Sequence, residues 1–357
     1  MKKIGILTSG GDCPGLNATI RGVAKALYES EPDVKIYGIH DGYHGLIHGE
    51  YQEMHPEDFS DILTRGGTIL GTYRTPYKMM QVIEDDKIDK VASMKKHYRE
   101  MGLDCLLTLG GNGTHKTANL LSEEGLNVIG LPKTIDNDIY GTDFTFGFHT
   151  AVDLATEVID RIHTTAASHK RVMLIEIMGN KAGWLTLYSG IAGGADVLLL
   201  PEIPYNLDSI CTAIEKREAA GRAFTIIAIA EGAMSVEEAA MKKKERAAYR
   251  AERGETTATN RLVKEIMKRT GSETRAVIPG HFLRGGTPSA YDRVLATQFG
   301  VYAAELVRKE KYGVTVALVG NKITHNKLID IAGVPKLVPT DHQMIKVARS
   351  MGLSLGD

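Results

Sequence analysis

The heptapeptide Pro132-Lys133-Thr134-Ile135-Asp136-Asn137-Asp138 follows the short apolar run Asn127-Val128-Ile129-Gly130-Leu131. That run reads as a buried parallel strand, so the heptapeptide lies at a strand mouth. Two carboxylates two residues apart, beside a lysine and a threonine, are unfavourable to gather there, because charged groups at a strand end repel one another or lose hydration. The same grouping suits a carboxylate that takes a proton from a hydroxyl while a cation steadies a phosphoryl group. The competing reading is a polar turn whose Asp residues cap a following helix, a position Asp favours.

Outward from this stretch, short apolar runs alternate with segments of helical length. The strands expected are residues 4–8, 105–109, 128–131, 172–177, 197–200, 225–230, 276–279 and 314–319, and helical segments include 18–29, 90–101, 150–163 and 207–219. Strands alternating with helices imply parallel sheets built from βαβ units, an α/β fold. Ligands of such sheets bind at the carboxyl ends of strands, where most of the polar clusters of this sequence lie. The 357 residues suit two domains or one large α/β unit. Residues 237–253, rich in Ala, Glu, Lys and Arg, read as a solvated surface helix, and 255–259 as a mobile loop.

Composition excludes several classes. A net charge of −1 leaves no bulk basic surface for nucleic acid. The longest apolar runs fall short of the about 18 residues that would cross a membrane. The lysines and apolar residues at the start break at Ser9-Gly10-Gly11-Asp12 before a signal peptide is complete. Cys13, Cys105 and Cys211 are scattered and odd in number, which argues against a disulfide framework and fits a reducing cytoplasm.

Two glycine turns stand at strand ends before helices: Ser9-Gly10-Gly11-Asp12-Cys13-Pro14-Gly15 and Leu109-Gly110-Gly111-Asn112-Gly113-Thr114. Such turns let backbone N–H groups and a helix N-terminus face a phosphate, although tight βα turns need glycine in any case. Neither is a Walker loop or a dinucleotide fingerprint. A basic cluster, Arg275 to Gly286, contains His281 and Arg284; Arg171 precedes another strand and Arg74 follows Gly71-Thr72. Arginine forks read phosphate. Glu231, at the end of the run 225–230, is placed to accept a sugar hydroxyl or to serve as a helix N-terminal acid.

Taken in order, these motifs resemble 6-phosphofructokinase of the phosphofructokinase A type, in the branch with Lys before Thr-Ile-Asp-Asn-Asp. The resemblance runs from Lys3 to about Asn326. It rests on Gly10 to Asn17, Pro132 to Asp138, Met178-Gly179, residues 163–169 and 191–196, and Gly280 to Gly286. It implies two Rossmann-like three-layer domains with mainly parallel sheets: residues 1–147 with 283–333 for the phosphoryl donor, and 148–282 with 334–357 for fructose 6-phosphate, the cleft carrying the reaction. It further implies Asp136 as the base on the sugar 1-hydroxyl, Thr134 on the transferred group, and Asp138 and Lys133 in the active-site charge balance. Arg171, Arg275, His281 and Arg284 would hold the sugar phosphate, and Met178, Gly179 and Glu231 the sugar. Gly11, Tyr43, Arg74, Gly111, Asn112, Gly113 and Thr114 would hold ATP, with Mg²⁺ near Asn112. Arg171 and Arg275 would serve a neighbouring subunit of a cytoplasmic homotetramer.

Gly113 stands where pyrophosphate users of the family carry Asp, and Lys133 fits either donor, so ATP is the expected donor and pyrophosphate the alternative. Asn112 and Asn180 depart from the family pattern, which usually has an acid and an arginine there. A non-catalytic sugar-phosphate-binding subunit is the alternative of another class, disfavoured because a binder has no use for a base at Asp136.

Overall fold

The computed structural model describes all residues, Met1–Asp357. The chain begins β1 (Lys3–Ser9), α1 (Leu16–Ser30), β2 (Lys35–Ile39), α2 (Tyr43–His48), β3 (Tyr51–Met54), α3 (Lys90–Met101), β4 (Cys105–Gly110), α4 (Asn112–Glu123) and β5 (Val128–Pro132). It continues α5 (Phe148–His169), β6 (Val172–Ile177), α6 (Trp184–Ala192), β7 (Val197–Leu199), α7 (Leu207–Ala219) and β8 (Thr225–Ala230). Then come α8 (Val236–Ala240), α9 (Lys243–Glu252), α10 (Thr259–Thr270), β9 (Thr274–Val277), α11 (Ala290–Arg308), β10 (Val314–Val319), β11 (Lys322–Lys327), α12 (Leu328–Ile331) and α13 (Gln343–Ser350). These elements form two compact units, Met1–Thr150 with Arg284–Lys336 and Ala151–Leu283 with Leu337–Asp357.

The first unit holds a seven-stranded sheet in the order β11-β10-β5-β4-β1-β2-β3. Its five inner strands are parallel, and β3 and β11 close the edges antiparallel. Helices cover the inner strands, so Ile4, Ile6, Leu106, Leu107, Val128 and Ile129 are wholly buried, each such side chain contributing about 2 kcal/mol. The register aligns Ser9 with Gly110 and Gly110 with Pro132. Both glycine turns and the Lys133–Asp138 stretch therefore leave the sheet side by side from its carboxyl edge.

The second unit holds a parallel sheet, β7-β8-β6-β9. Here Ile177 pairs with Ala230, and Val172 with Thr225 and Thr274. Met178-Gly179 and Glu231 accordingly emerge together at the carboxyl edge, whereas Arg171 and Glu273 sit together at the amino edge.

Four expectations are corrected. No helix starts at Asp136 or Asp138, because the next one, α5, begins at Phe148; the carboxylates are not caps. The strand near Arg275 is Thr274–Val277 rather than 276–279, since Pro279 has no N–H to give a ladder. Residues 237–253 form two helices rather than one. A capping box on Ser235 starts α8, and Met241 and Lys242 are extended before α9. This segment is anchored: Glu238 is wholly buried and takes Arg250 Nε at 2.7 Å and Arg261 Nη2 at 2.8 Å. Burial alone would raise the Glu238 carboxyl; Arg250, the Ser235 N–H and Arg261 bring it below its ordinary value. Residues 255–259 are tied down as well, with Glu255 on Arg261 (3.0 Å) and the Thr257 hydroxyl donating to the buried Glu176 (2.7 Å), as does that of Thr259.

Removing one member of such a buried cluster leaves the others uncompensated. Glu238→Ala is expected to destabilise the second unit by about 3 kcal/mol, read by urea unfolding; a loss under about 1 kcal/mol would mean the anchoring is superficial.

Candidate active site

In the first unit the loop after β5 is locked by its own polar side chains. The Thr145 hydroxyl donates to the Thr134 carbonyl (2.7 Å), and Thr145 N–H donates to Asn137 Oδ1 (3.1 Å). Asn137 Nδ2 donates to the Asp143 carbonyl (3.1 Å). Asn137 has φ 51°, a left-handed conformation that Asn tolerates better than most residues. It turns the chain between the two carboxylates. Asp136 N–H donates to Thr134 Oγ1 at 3.0 Å, which leaves the hydroxyl proton of the almost buried Thr134 for another acceptor.

Asn112, at the start of α4, holds the second carboxylate. Its Nδ2 donates to the Asp138 carbonyl (3.0 Å) and to Asp138 Oδ2 (3.1 Å). Two acceptors on one side fix the amide orientation. Asn112 Oδ1 is then buried with no hydrogen-bond partner. Burial raises the Asp138 carboxyl above its ordinary range, and Asn112 pulls it back in part. Lys336, which no sequence pattern singles out, buttresses the same loop. Its N–H donates to the Asp138 carbonyl (2.8 Å), and its Nζ donates to the carbonyls of Thr142 (2.8 Å) and Asp143 (2.7 Å). Burial lowers Lys336 to about 8.

The second glycine turn presents a helix N-terminus. The amides of Asn112, Gly113 and Thr114 precede the first intrahelical bond, His115 N–H to the Gly111 carbonyl (3.0 Å), and are free to meet an anion. A Cβ on Gly110 would overlap the Thr114 side chain, whereas one on Gly113 would meet nothing within 4 Å. The Thr114 hydroxyl turns inward to the Ser9 carbonyl (3.3 Å), so Thr114 offers a ligand its amide rather than its side chain. Buried His115 pins this turn. Its Nδ1 lies 3.0 Å from the Gly111 carbonyl and its Nε2 2.8 Å from Thr315 Oγ1. A carbonyl only accepts, so Nδ1 carries the proton and Nε2 accepts from the Thr315 hydroxyl. Burial lowers His115 to about 4.

The first glycine turn works differently from the expectation. The N-terminus of α1 is filled, because a Cβ on its capping Gly15 would lie 3.1 Å from the Phe146 ring, and Asn17 is bound to Arg65, Gly66 and Ile69. Gly10 and Gly11 carry the polar face instead. Thr72 donates to the Gly10 carbonyl (2.6 Å), Lys133 Nζ donates to the Gly11 carbonyl, and the Arg284 guanidinium lies against Gly11, 2.5 Å from where a Cβ would stand. Burial lowers the Lys133 ammonium, which nonetheless has Asp136 and Asp12 near it. Cys13 is buried under Gly147 and burial pushes its thiol up, so it is no reactive thiolate. Tyr43 is a correction: its side chain is 1% exposed in the core and its hydroxyl donates to the Thr114 carbonyl at 2.9 Å. It supports the turn after β4 from within the core. Arg74 is exposed.

In the second unit the structure divides the residues expected to hold the sugar phosphate into two groups. At the carboxyl edge Glu231 Oε1 accepts from Asn180 N–H (2.6 Å) and Gly179 N–H (3.2 Å), which draws Met178-Gly179 against the end of β8. His281 follows β9 on an exposed turn. Arg171 and Arg275 lie toward the amino edge, where their Nη2 atoms both bind Glu273 Oε1 at 2.8 Å, and Arg171 Nε is buried with no hydrogen-bond partner. Ile177 lies six residues beyond Arg171 along the strand, roughly 20 Å at 3.3 Å per residue. One chain does not bring these arginines to Glu231.

The sequence matches the phosphofructokinase family profile over residues 3–307. The chain belongs to the phosphofructokinase family. It is 54% identical to the ATP-dependent 6-phosphofructokinase of Spirochaeta thermophila, over all of this chain and 98% of that one. It is 45% identical to ATP-dependent 6-phosphofructokinase 3 of Bacteroides thetaiotaomicron, over 99% of this chain and 100% of that one. Among solved structures, phosphofructokinase from Saccharomyces cerevisiae matches with a TM-score of 0.80 and 30% identity, over 92% of this chain; this chain spans 45% of that longer one. A pyrophosphate-dependent phosphofructokinase from Marinobacter aquaeolei has the same fold, with a TM-score of 0.81 at 20% identity over 99% of this chain and 92% of that one. The α/β architecture with mainly parallel sheets is thus that of the family.

His115 yields a pH prediction. Its folded value lies below its ordinary 6.5, so the unfolded chain binds its proton first and stability falls as pH drops from 6.5 toward 4. The loss from this group between about pH 7 and about pH 5 is about 2 kcal/mol. His115→Gln should be less stable at neutral pH yet lose less on acidification, measured by thermal unfolding at both pH values; an unchanged acid slope would contradict this.

Proposed function

We propose that the chain transfers the γ-phosphoryl group of ATP to the 1-hydroxyl of fructose 6-phosphate, giving fructose 1,6-bisphosphate and ADP. The observation that carries this reading is the rigid loop holding Asp136 and Asp138 beside the N-terminus of α4, in a chain with full-length similarity to proteins named for that reaction. Asp136 takes the hydroxyl proton as oxygen attacks phosphorus. The Thr134 proton and the amides of Asn112, Gly113 and Thr114 receive phosphate oxygens, and Lys133, Arg74 and Arg284 supply positive charge. Fixed donors and cations suit phosphoryl transfer, which asks mainly for alignment and for stabilisation of charge on the moving group.

Gly113 supports ATP as the donor. The open space there leaves room for a nucleotide's α-phosphate, which an Asp side chain would crowd and repel. Mg²⁺ fits the site. Asn112 Oδ1 is a buried oxygen without a partner and the Asp138 carboxylate is close by; a hard cation that keeps water and phosphate ligands needs few protein oxygens. When bound, it would neutralise phosphate charge.

Met178, Gly179, Glu231 and His281 receive the sugar at one edge of the second unit. Arg171 and Arg275 serve the site of a neighbouring copy, which makes the working enzyme an oligomer, a homotetramer in this reading. The unpartnered Nε of Arg171 supports an anion arriving there from outside the chain. No helix is long and apolar enough to cross a membrane, and three buried free cysteines suit a cytoplasmic location.

Initial rates with fructose 6-phosphate and Mg²⁺, offered ATP or pyrophosphate separately, test this. Turnover is expected with ATP alone, and Asp136→Asn should lower kcat by about 10³-fold with little change in KM. Turnover with pyrophosphate alone would transfer the donor role to a site organised by Lys133, and turnover with neither would leave a sugar-phosphate-binding subunit.

A further inference from the structure

The segment that precedes α10 builds one wall of a cavity in the second unit. Arg250 is fixed there by Glu238 (2.7 Å), the Ala233 carbonyl (2.9 Å) and the Thr256 carbonyl (3.3 Å), and Arg246 by the Glu238 carbonyl (3.2 Å). The facing wall is the Asn180 turn, seated on Glu231 through backbone hydrogen bonds. It comes so close to Gly232 that any side chain there would overlap the Asn180 carbonyl. About 720 Å³ lies between these walls, lined among others by Asn180, Lys181, Glu231, Lys243, Arg246 and Arg250, a volume within the range of small-molecule sites.

Charge is unbalanced across this space. Arg250 is matched by Glu238, whereas Lys181, Lys243 and Arg246 have no carboxylate partner. Two acids also line the cavity. Glu231 is engaged by the amides of Gly179 and Asn180, and Glu202 by those of Gly183 and Val338, with burial raising the Glu202 carboxyl. Lys243 and Arg246 stand on one wall, where the ten-residue α9 begins at Lys243 and adds the positive end of its dipole, and Lys181 stands on the facing wall beside Asn180. A fixed guanidinium flanked by ammonium groups matches a phosphate.

We propose that this cavity is a second anion site, which takes a small organic phosphate beside the acceptor sugar and not in its place. Because the Asn180 turn and Glu231 form one of its walls, occupancy raises the KM for the acceptor through repulsion between two anions and leaves kcat unchanged. Only this kinetic effect rests on Glu231 gripping fructose 6-phosphate; the binding does not.

The probe is phosphoglycolate, titrated at saturating ATP and Mg²⁺. The KM for fructose 6-phosphate is expected to rise about three-fold and then level off, as two sites require and simple competition does not. Lys243→Gln with Arg246→Gln, both outside the catalytic groups, should abolish the rise and leave the KM without probe as it was. Lys243→Gln alone, at an exposed position, should weaken it and serves if the double variant misfolds. A rise without limit that persists in the variants would overturn the proposal, because the anion would then be read at the acceptor site alone. Calorimetry with phosphoglycolate decides the binding even if the chain turns over no fructose 6-phosphate. Binding lost in the variants supports the site, and no binding, or binding the variants keep, overturns it.

Discussion

A β-strand advances about 3.3 Å per residue, and that fixed rise divides the chemistry of the second unit. β6 carries Arg171 before its first residue and Met178 after its last, and β9 runs parallel beside it, so Arg275 shares the arginine end. No side-chain rearrangement closes a gap of roughly 20 Å between residues on opposite ends of one rigid sheet. Glu273 occupies the arginines in the isolated chain, bridging both. It is exposed, so this pairing contributes little to stability. Within one chain, Arg171 and Arg275 stay at the edge of the sheet opposite Glu231.

In the first unit the same sheet logic converges. Parallel register brings Ser9, Gly110 and Pro132 level, and three turns leave together. What turns that coincidence into a site is polar locking underneath: Thr145 and Asn137 on the loop after β5, Asn112 on Asp138, His115 on Gly111, and Lys336 across residues 138–143. The bonds of Thr145, Asn137 and Lys336 pair backbone groups of the loop, and those of Asn112 and His115 add a second donor to the Asp138 and Gly111 carbonyls, so the locks fix geometry and contribute stability together. Asn112 Oδ1 and Arg171 Nε are among the few buried polar atoms that no such bond satisfies.

The sequence makes the interior of this fold legible because buried parallel strands must be apolar throughout. β6, β8 and β10 have the bounds expected from the sequence, β4, β5 and β7 differ by a residue at one end, and β1 is a residue longer at each end. β2, β3 and β11 escaped notice. Tyr51–Met54 and Lys322–Lys327 are edge strands facing water, where no apolar run is required. Asp136 and Asp138 were legible as candidates because two acids at a strand mouth need a reason. Lys336 and His115 were not, since a lysine or histidine bound to main-chain carbonyls leaves no pattern in sequence. Tyr43, expected to face a ligand, is buried for a related reason, because exposure is a property of packing. Glu238 was hidden within a charge run whose other members are mostly solvated, although only it reaches the core.

The most direct measurement of the central claim pairs two defective chains. Asp136→Asn and Arg275→Ala are each expected to turn over fructose 6-phosphate poorly alone. Co-expressed and purified as hybrids, they should recover activity well above either parent, because Asp136 of one chain then meets Arg275 of another. Hybrids no more active than the parents would show that each chain builds its sugar-phosphate site from its own residues, and would contradict the account.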